Sequence, residues 1–436
     1  MQRIFADRHK TGQLDLEAVE MAIRSTVHQT GADAVTELLR FPPPDDDHRR
    51  LPCPCGQTAK YEGMRCRPIL TAVGWAQIDR PYYLCSACHQ GQFPADVQLD
   101  IDKTDFSPAV RRMLAAVGSE APFAQGRDQI KLLAGLEVTA KAVERTAESI
   151  GKDIQARQQK EIQSAKQLHL PAVSGPSIPY LYVQMDGTQV PVVKAETQGR
   201  VGRTPGQPAR TRECKLGVAF TQTTVDDQGR PVRDEDSTTY VGAIETAEEF
   251  GLRIYTEAWN RGWERATIRV VMGDGSHWIW NIADQHFPGA IQIVDLYHAR
   301  EHLWDLARKL YPADEVAQKR WLMRKLDWLE NGKIEKLIAA LGKLADENTT
   351  AELIKAIRIE AEYFDSNRDR MRYPAFRKQN LFVGSGVIEA GCKTVIGSRL
   401  KQSGMFWTVA GANAIIALRC CCISGKFEAH WEERVG

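Results

Sequence analysis

Two apolar runs in this chain end the same way. Residues 179–185 (Pro-Tyr-Leu-Tyr-Val-Gln-Met) lead into Asp186-Gly187, and residues 267–272 (Thr-Ile-Arg-Val-Val-Met) lead through Gly273 into Asp274-Gly275. Short runs rich in Val, Ile and Tyr and closed by glycine read as buried strands. A single Asp-Gly is ordinary turn chemistry. Its repetition in one context places two carboxylates at the rim of a sheet. A third acid, Glu389, lies in Ser385-Gly-Val-Ile-Glu389-Ala-Gly-Cys-Lys393, which reads as the opening of a helix. Carboxylates are the ligands that hard cations such as Mg²⁺ or Mn²⁺ take. Two such ions, roughly 3.5–4 Å apart, can hold the attacking and leaving oxygens of a phosphoryl transfer. The expectation is that Asp186, Asp274 and Glu389 converge on two divalent ions.

The segments between these acids bound the fold. Residues 215–225 and 237–244 read as two further strands, joined by the polar turn 226–230. Residues 246–263 read as a helix, 276–286 as another, and 290–295 as a strand ending in Asp295. A hairpin-linked meander followed by alternation predicts an α/β fold, a mixed sheet with helices on its faces. Residues 194–213, with Arg200, Arg203, Arg210 and Arg212 among Gly, Thr and Gln, read as a mobile basic loop suited to a phosphate backbone. Residues 303–380 break the alternation with Leu and Trp at helical spacing, including Trp321 and Trp328, which read as core. Arg368, Arg370, Arg372, Arg377 and Lys378 cluster just before the glutamate segment, placed to meet DNA. Residues 407–423 form an apolar helix ending in Cys420-Cys-Cys422. Adjacent helical cysteines point in different directions, so packing is expected of them, not chelation.

Upstream, residues 14–40 have apolar residues at helical spacing, for one or two helices ended by Phe41-Pro-Pro-Pro44, and 45–50 read as a solvated linker. Cys53-Pro-Cys55 and Cys85-Ser-Ala-Cys88 flank strand-like pieces at 68–73 and 79–84. Two cysteine pairs around a small sheet predict structural zinc bound by Cys53, Cys55, Cys85 and Cys88. The one-residue gap of the first pair is tight, which keeps Cys66 or His89 open as substitutes. Residues 107–160 read as helical, with Ser107-Pro108 as a cap and first position. A helix at 123–134, the turn 135–137 and a helix at 138–158 make a helix–turn–helix shape that can enter a major groove, with Lys141, Arg145 and Lys152 toward phosphates. A plain helical hairpin is the alternative. Residues 159–178 read as a linker.

Bulk properties narrow the class. A length of 436 residues suggests roughly three domains. No run of about 18 apolar residues predicts a membrane span, and the first residues lack the apolar core of a secretory signal. Ten cysteines without such a signal favour reduced thiols and metal ligation over disulfides. The net charge of +1 offers no global attraction to nucleic acid, so binding must rest on local patches. The expected organisation is 1–50 helical, 51–100 zinc-ribbon-like, 101–165 helical and DNA-binding, 179–300 the first part of a catalytic core, 301–380 an all-helical insertion, and 381–436 the glutamate helix with the C-terminal helix.

Met185-Asp-Gly-Thr188, Gly273-Asp-Gly-Ser-His-Trp-Ile-Trp280, Val294-Asp-Leu-Tyr-His-Ala-Arg-Glu-His302 and Gly384-Ser-Gly-Val-Ile-Glu-Ala-Gly-Cys-Lys393 resemble bacterial insertion-sequence transposases of the ISKra type. Those are DDE enzymes with an RNase H-like fold, more distantly related to Mutator-like transposases. The resemblance spans about 179–425 and implies Asp186, Asp274 and Glu389 as catalytic acids. Asp295 and His298 look like the Asp/Cys-x-x-His element of related transposases. It also implies cleavage of element ends, joining to target DNA, self-association as a dimer or higher oligomer, and a cytoplasmic, nucleoid-associated setting. Other transposase groups often place a basic residue seven positions past the glutamate. Here that position is Ile396, which leaves Lys393 or Arg399 for such a role.

Two rivals remain. His298-Ala-Arg-Glu301-His302 matches the H-x-x-E-H pattern of zinc peptidases, whose third ligand would be Glu360 or Glu362. A transposase-derived DNA-binding protein without catalysis is the other.

Overall fold

Asp15 starts the first described helix, α1 (Leu16–Leu38), by accepting a hydrogen bond from the Ala18 N–H at 3.2 Å. It is one helix, not two. Its buried face is made of Ala18, Ala22 and Ala32, small residues that let it lie close on a β-hairpin. A computed structural model describes residues 15–167, 169–170, 174–202, 208–347 and 350–434. The chain forms two units, residues 1–149 with 429–436, and residues 150–428.

In the first unit, β1 (Arg50–Pro52), β2 (Thr58–Thr71), β3 (Gly74–Cys85) and β4 (Gly91–Gln92) form an antiparallel sheet in that order. The β2–β3 hairpin is longer than the two strand-like pieces expected from sequence. α2 (Pro94–Gln98) follows. Ser107 caps α3 (Pro108–Glu120) as expected. α4 (Phe123–Gln129) continues through a π-helical turn, Ile130–Ala134, to Gly135 in the left-handed region. Val110, Leu114, Ile130, Leu136 and Val143 pack with Leu70 of the hairpin.

α5 (Ala140–Lys166) contributes residues to both units. Its start is fixed by Thr139, whose hydroxyl accepts from the Ala142 N–H. It runs eight residues past the expected end at 158, because Ile162 and Ala165 continue a buried face and hold as helix what was expected to be linker.

The second unit is built on a five-stranded mixed sheet. In chain order its strands are β5 (Ile178–Pro191), β6 (Thr211–Gln222), β9 (Thr239–Ala243), β10 (Ala266–Gly273) and β11 (Ile291–Val294). The two short strands β7 (Thr224–Val225) and β8 (Pro231–Val232) pair only with each other. Across the sheet the order is β11-β10-β5-β6-β9. β5, β6 and β9 are antiparallel neighbours, and β10 and β11 run parallel to β5. The expected mixed α/β layering is therefore present. β5 does not stop at Asp186 as expected. It stays paired with β6 to Pro191, while its pairing with β10 ends at Gln184. The expected basic loop is correspondingly shorter: a 3₁₀ turn spans Lys194–Thr197 and β6 begins at Thr211. Arg203 lies outside the described residues.

Crossovers cover the sheet. α6 (Ala247–Asn260) opens with a capping box between Thr246 and Glu249. α7 (His277–His286) links β10 to β11. Asp295 ends β11 and caps α8 (Leu296–Leu310). Four more helices follow: α9 (Glu315–Glu330), α10 (Ile334–Glu347), α11 (Ala351–Ser366) and α12 (Tyr373–Lys378). α13 (Gly386–Gly391) carries Glu389 and continues into a π-helical stretch, Cys392–Gly397. α14 (Val409–Ile423) is mostly apolar and packs on β9, with Cys420 and Cys421 buried. Among the described residues no single helix is long and apolar enough to cross a membrane.

Candidate functional site

The parallel registers of the sheet set the site. Met272 pairs with Gln184, and Gly273 pairs with Val294. Continued past these last pairs, the same registers bring Asp274 level with Asp186 on one side and with Asp295 on the other. Three aspartates thus stand where adjacent parallel strands β5, β10 and β11 run out of mutual pairing. The carboxyl edge of parallel strands is the usual ligand edge of an open α/β sheet.

Each acid is oriented by nearby donors. Asp186 Oδ1 accepts from the Gly187 N–H at 2.6 Å, and its Oδ2 accepts from the Cys392 thiol at 3.3 Å. Asp274 accepts from the Ser276 N–H at 2.8 Å and the Ser276 hydroxyl at 3.0 Å. Asp295, fully buried, accepts from the Tyr297 N–H at 2.6 Å, the Ser385 N–H at 3.0 Å and the Ser385 hydroxyl. The same hydroxyl lies 3.4 Å from Glu389 Oε1. A carboxylate has about four acceptor positions, so these bonds leave lone pairs for a cation.

Glu389 arrives from a different direction, on a helix pinned to the sheet. Gln184, buried within β5, accepts from the Ile388 N–H at 3.1 Å. Gly391 faces the Tyr240 ring and Leu216, where a Cβ would collide. As a result, ligand atoms of Asp295, His298 and Glu389 all lie within 4.8 Å of one another. Burial pushes the Asp186 carboxyl above the usual carboxylate range, and the Asp274 charge adds to this while Cys392, Gly187 and His298 oppose it. Burial, then the neighbouring Asp295 carboxyl, pushes Glu389 up. Carboxylates held together at this cost gain most from a bound cation.

A cleft of about 890 Å³ is lined by Asp186, Glu389, Cys392, Lys393 and Lys401, and His298 is shared between it and a smaller hollow of about 390 Å³ beside Asp274. Lys393 is exposed in the cleft. Lys401 reaches Thr188 Oγ1 at 2.5 Å, a role that nothing in its sequence context marks. Arg399 is not the available basic residue expected beside the glutamate: it is 0% exposed, with its guanidinium against the Trp407 ring. Arg370 and Arg372 are likewise engaged within the chain. Arg370 lies over Trp280 and donates to Gln292 at 2.6 Å, and Arg372 pairs with Glu335 and Asp369 at 2.6 and 3.0 Å. Arg200 and Arg210 are exposed, and Arg212 donates to the Glu196 carbonyl. Lys141 pairs with Glu144 on the exposed side of α5, where Arg145 also lies.

The histidine–glutamate motif does not gather as a peptidase site. His302 stacks on Tyr363 and pairs with Glu360 at 2.6 Å, and His298 pairs with Glu301 at 3.3 Å. Among the described residues no metal-binding group contains both histidines.

In the first unit the four expected thiols do converge. Sulfurs of Cys53, Cys55, Cys85 and Cys88 lie within 4.8 Å of one another, a set that can bind zinc. Cys66 is elsewhere, bonded to Gln77. Backbone N–H groups of Cys88 and Ala87 bring the Cys85 thiol down to about 6. A thiolate is therefore stabilised there before any ion binds.

No family model matches the chain, and no curated protein sequence is similar to it. Among solved structures, the Drosophila P element transposase strand transfer complex aligns over 78% of this chain and 84% of that one. The TM-score is 0.26 and the identity 7%. A likeness at that level supports no argument about fold or function.

Proposed function

We propose that the chain is a metal-dependent DNA transposase of RNase H-like fold, of the ISKra type of bacterial insertion sequences, with Asp186, Asp274 and Glu389 as its acids. The observation that supports this most is the shared register that brings Asp186 and Asp274 level on neighbouring strands, with Glu389 on a helix fastened to the same strand. Three antiparallel strands followed by two parallel ones with helical crossovers is also the sheet that an RNase H-like reading calls for.

Asp186, Asp274 and Glu389 would hold two Mg²⁺ or Mn²⁺ ions, with Asp295 and His298 beside them. Bound ions of this kind lower the pKa of a water and stabilise the attacking and leaving oxygens of a phosphodiester. The chain's own part is positional. Gly187, Cys392 and Ser276 fix the carboxylate planes, and Ser385 ties Asp295 to the start of the glutamate helix. Lys393 and Lys401 offer positive charge to a phosphate in the cleft. Lys141 and Arg145 on α5, with the zinc module, would hold element ends, and Arg200, Arg210 and Arg212 the backbone beyond. Joining two ends calls for at least a dimer.

The test is a cleavage and strand-transfer assay with Mg²⁺ or Mn²⁺ on the DNA flanking this chain's own gene. Asp186→Ala, Asp274→Ala and Glu389→Ala should each lower cleavage by more than the ~10²–10³-fold typical of losing one electrostatic group, while end binding persists. Full activity in any of the three removes that residue from the site.

A further inference from the structure

The helical insertion contains a second concentration of charge, about which the acidic site says nothing. Trp321, Arg324, Lys325 and Trp328 recur at three- and four-residue spacing on α9, so they share one face. Lys325 is only 4% exposed. Its Nζ lies 4.1 Å from the Trp328 ring centroid and 5.6 Å from that of Trp321. Lys336, in the first turn of α10, brings its Nζ to 4.7 Å from the same Trp328 ring, and the Arg324 guanidinium carbon lies 5.9 Å from it.

Three cations therefore crowd one indole. Among the described residues none of the three is ion-paired with a carboxylate, although Asp327 nearby is taken by Lys333 at 3.6 Å. A ring face attracts a cation by about 0.5–2 kcal/mol, and one indole has to serve three mutually repelling charges. Burial, then Arg324 and Lys336, bring the Lys325 amine down to about 8, and no acid counters them. The partial positive charge at the start of α10 adds to the same field. Arg324 and Lys336 are exposed and Trp328 is half-buried, so the cluster opens to solvent. A buried ammonium with two cations beside it and, among the described residues, no carboxylate paired to it lacks an anion.

We propose that Trp328 with Arg324, Lys325 and Lys336 is a binding site for a phosphate oxyanion, occupied in function by a phosphodiester of a DNA backbone. Only the choice of occupant rests on the DNA reading above. The oxyanion would lie among the three cations with the indole as its wall, and would anchor duplex to the insertion without reading sequence.

Binding of a short random-sequence duplex to the full chain, followed over a range of salt, tests this in three proteins: wild type, Arg324→Gln/Lys336→Gln and Lys325→Met. The double variant changes only exposed side chains, so it keeps the test independent of folding. Its slope of log K against log salt should fall by about one, at roughly 0.9 for the one phosphate that the variant no longer neutralises. In a parallel arm, inorganic phosphate should raise the Tm of the wild type more than that of Lys325→Met, which removes phosphate's general solvent effect from the comparison. An unchanged slope overturns the phosphodiester assignment, and cleavage activity in the same preparation would leave the transposase reading standing. If the wild type binds no duplex, the DNA reading falls and the phosphate arm decides alone. A Tm gain lost in Lys325→Met keeps an anion site, and equal gains end it.

Discussion

Asp186 carries a cost that its position explains. Burial and the Asp274 charge raise its folded-state pKa above the unfolded value. A carboxyl raised in the folded state binds more protons there than in the unfolded chain, so stability falls as pH rises through that window. The penalty is complete above the folded pKa and absent below the ordinary carboxylate range. In metal-free protein, Asp186→Asn should therefore raise Tm at neutral pH, with the gain vanishing near pH ~4, the ordinary Asp value, as read by calorimetry in chelator. Mg²⁺ should stabilise the wild type and not the variant. A variant that is less stable at neutral pH would show that the carboxylate is satisfied without an ion. Sequence made the acid visible through its strand-Asp-Gly context, but not Cys392, which supplies one of its two donors. Nothing in Ala-Gly-Cys-Lys marks a thiol that will meet a residue 206 positions earlier.

At the scale of elements, one polar residue in an apolar run does much to assemble the site. Gln184 interrupts Tyr-Leu-Tyr-Val-Gln-Met, is fully buried, and holds the N–H of Ile388 at the start of the glutamate helix. Gln184→Leu should leave that N–H unsatisfied, at about 1–3 kcal/mol. It should also lower metal affinity by loosening Glu389, and titration calorimetry with Mn²⁺ measures both affinity and stoichiometry. Stability lost with metal affinity unchanged would make Gln184 a packing residue only. The signal was present in the sequence, since a Gln inside a buried strand needs a partner. Which partner it takes depends on a helix 204 residues away. Element boundaries show the same limit. α5 outran its expected end because Ile162 and Ala165 find cover in tertiary structure, and β5 outran Asp186 because β6 continues beside it. Arg370 and Arg372, expected to meet DNA together with Arg368, Arg377 and Lys378, each find an aromatic or acidic neighbour within the chain, and Arg399, expected to serve beside the glutamate, is buried against Trp407.

Across the whole molecule, the two units draw on different sources of stability. The second unit has a broad sheet with helical cover. In the first, Leu70, Val110, Leu114, Ile130, Leu136 and Val143 make one core, while around the thiol cluster only Cys53, Ala59, Tyr83 and Cys85 are buried together, few enough for that end to need a metal. The full chain should contain about one zinc, measured by elemental analysis, because tetrahedral zinc takes four ligands. Chelation should speed amide exchange across β2 and β3 and leave β5 and β10 protected, as hydrogen-exchange mass spectrometry resolves. Protected β2 and β3 without zinc would make the cysteines structural thiols. The two cysteine pairs were legible at once, because ligand spacing is local. The acidic site was legible as residues and not as geometry, because its geometry comes from strand registers that no short window contains.

The order of assembly follows from where Glu389 sits. During translation, a ribosome that has made residues up to 385 has released every aspartate of the site, but neither the glutamate nor the helix that covers β9. The elements that finish the fold also deliver the last acid. A nascent chain thus holds an incomplete cluster of acids, and the full set comes together only with the native state.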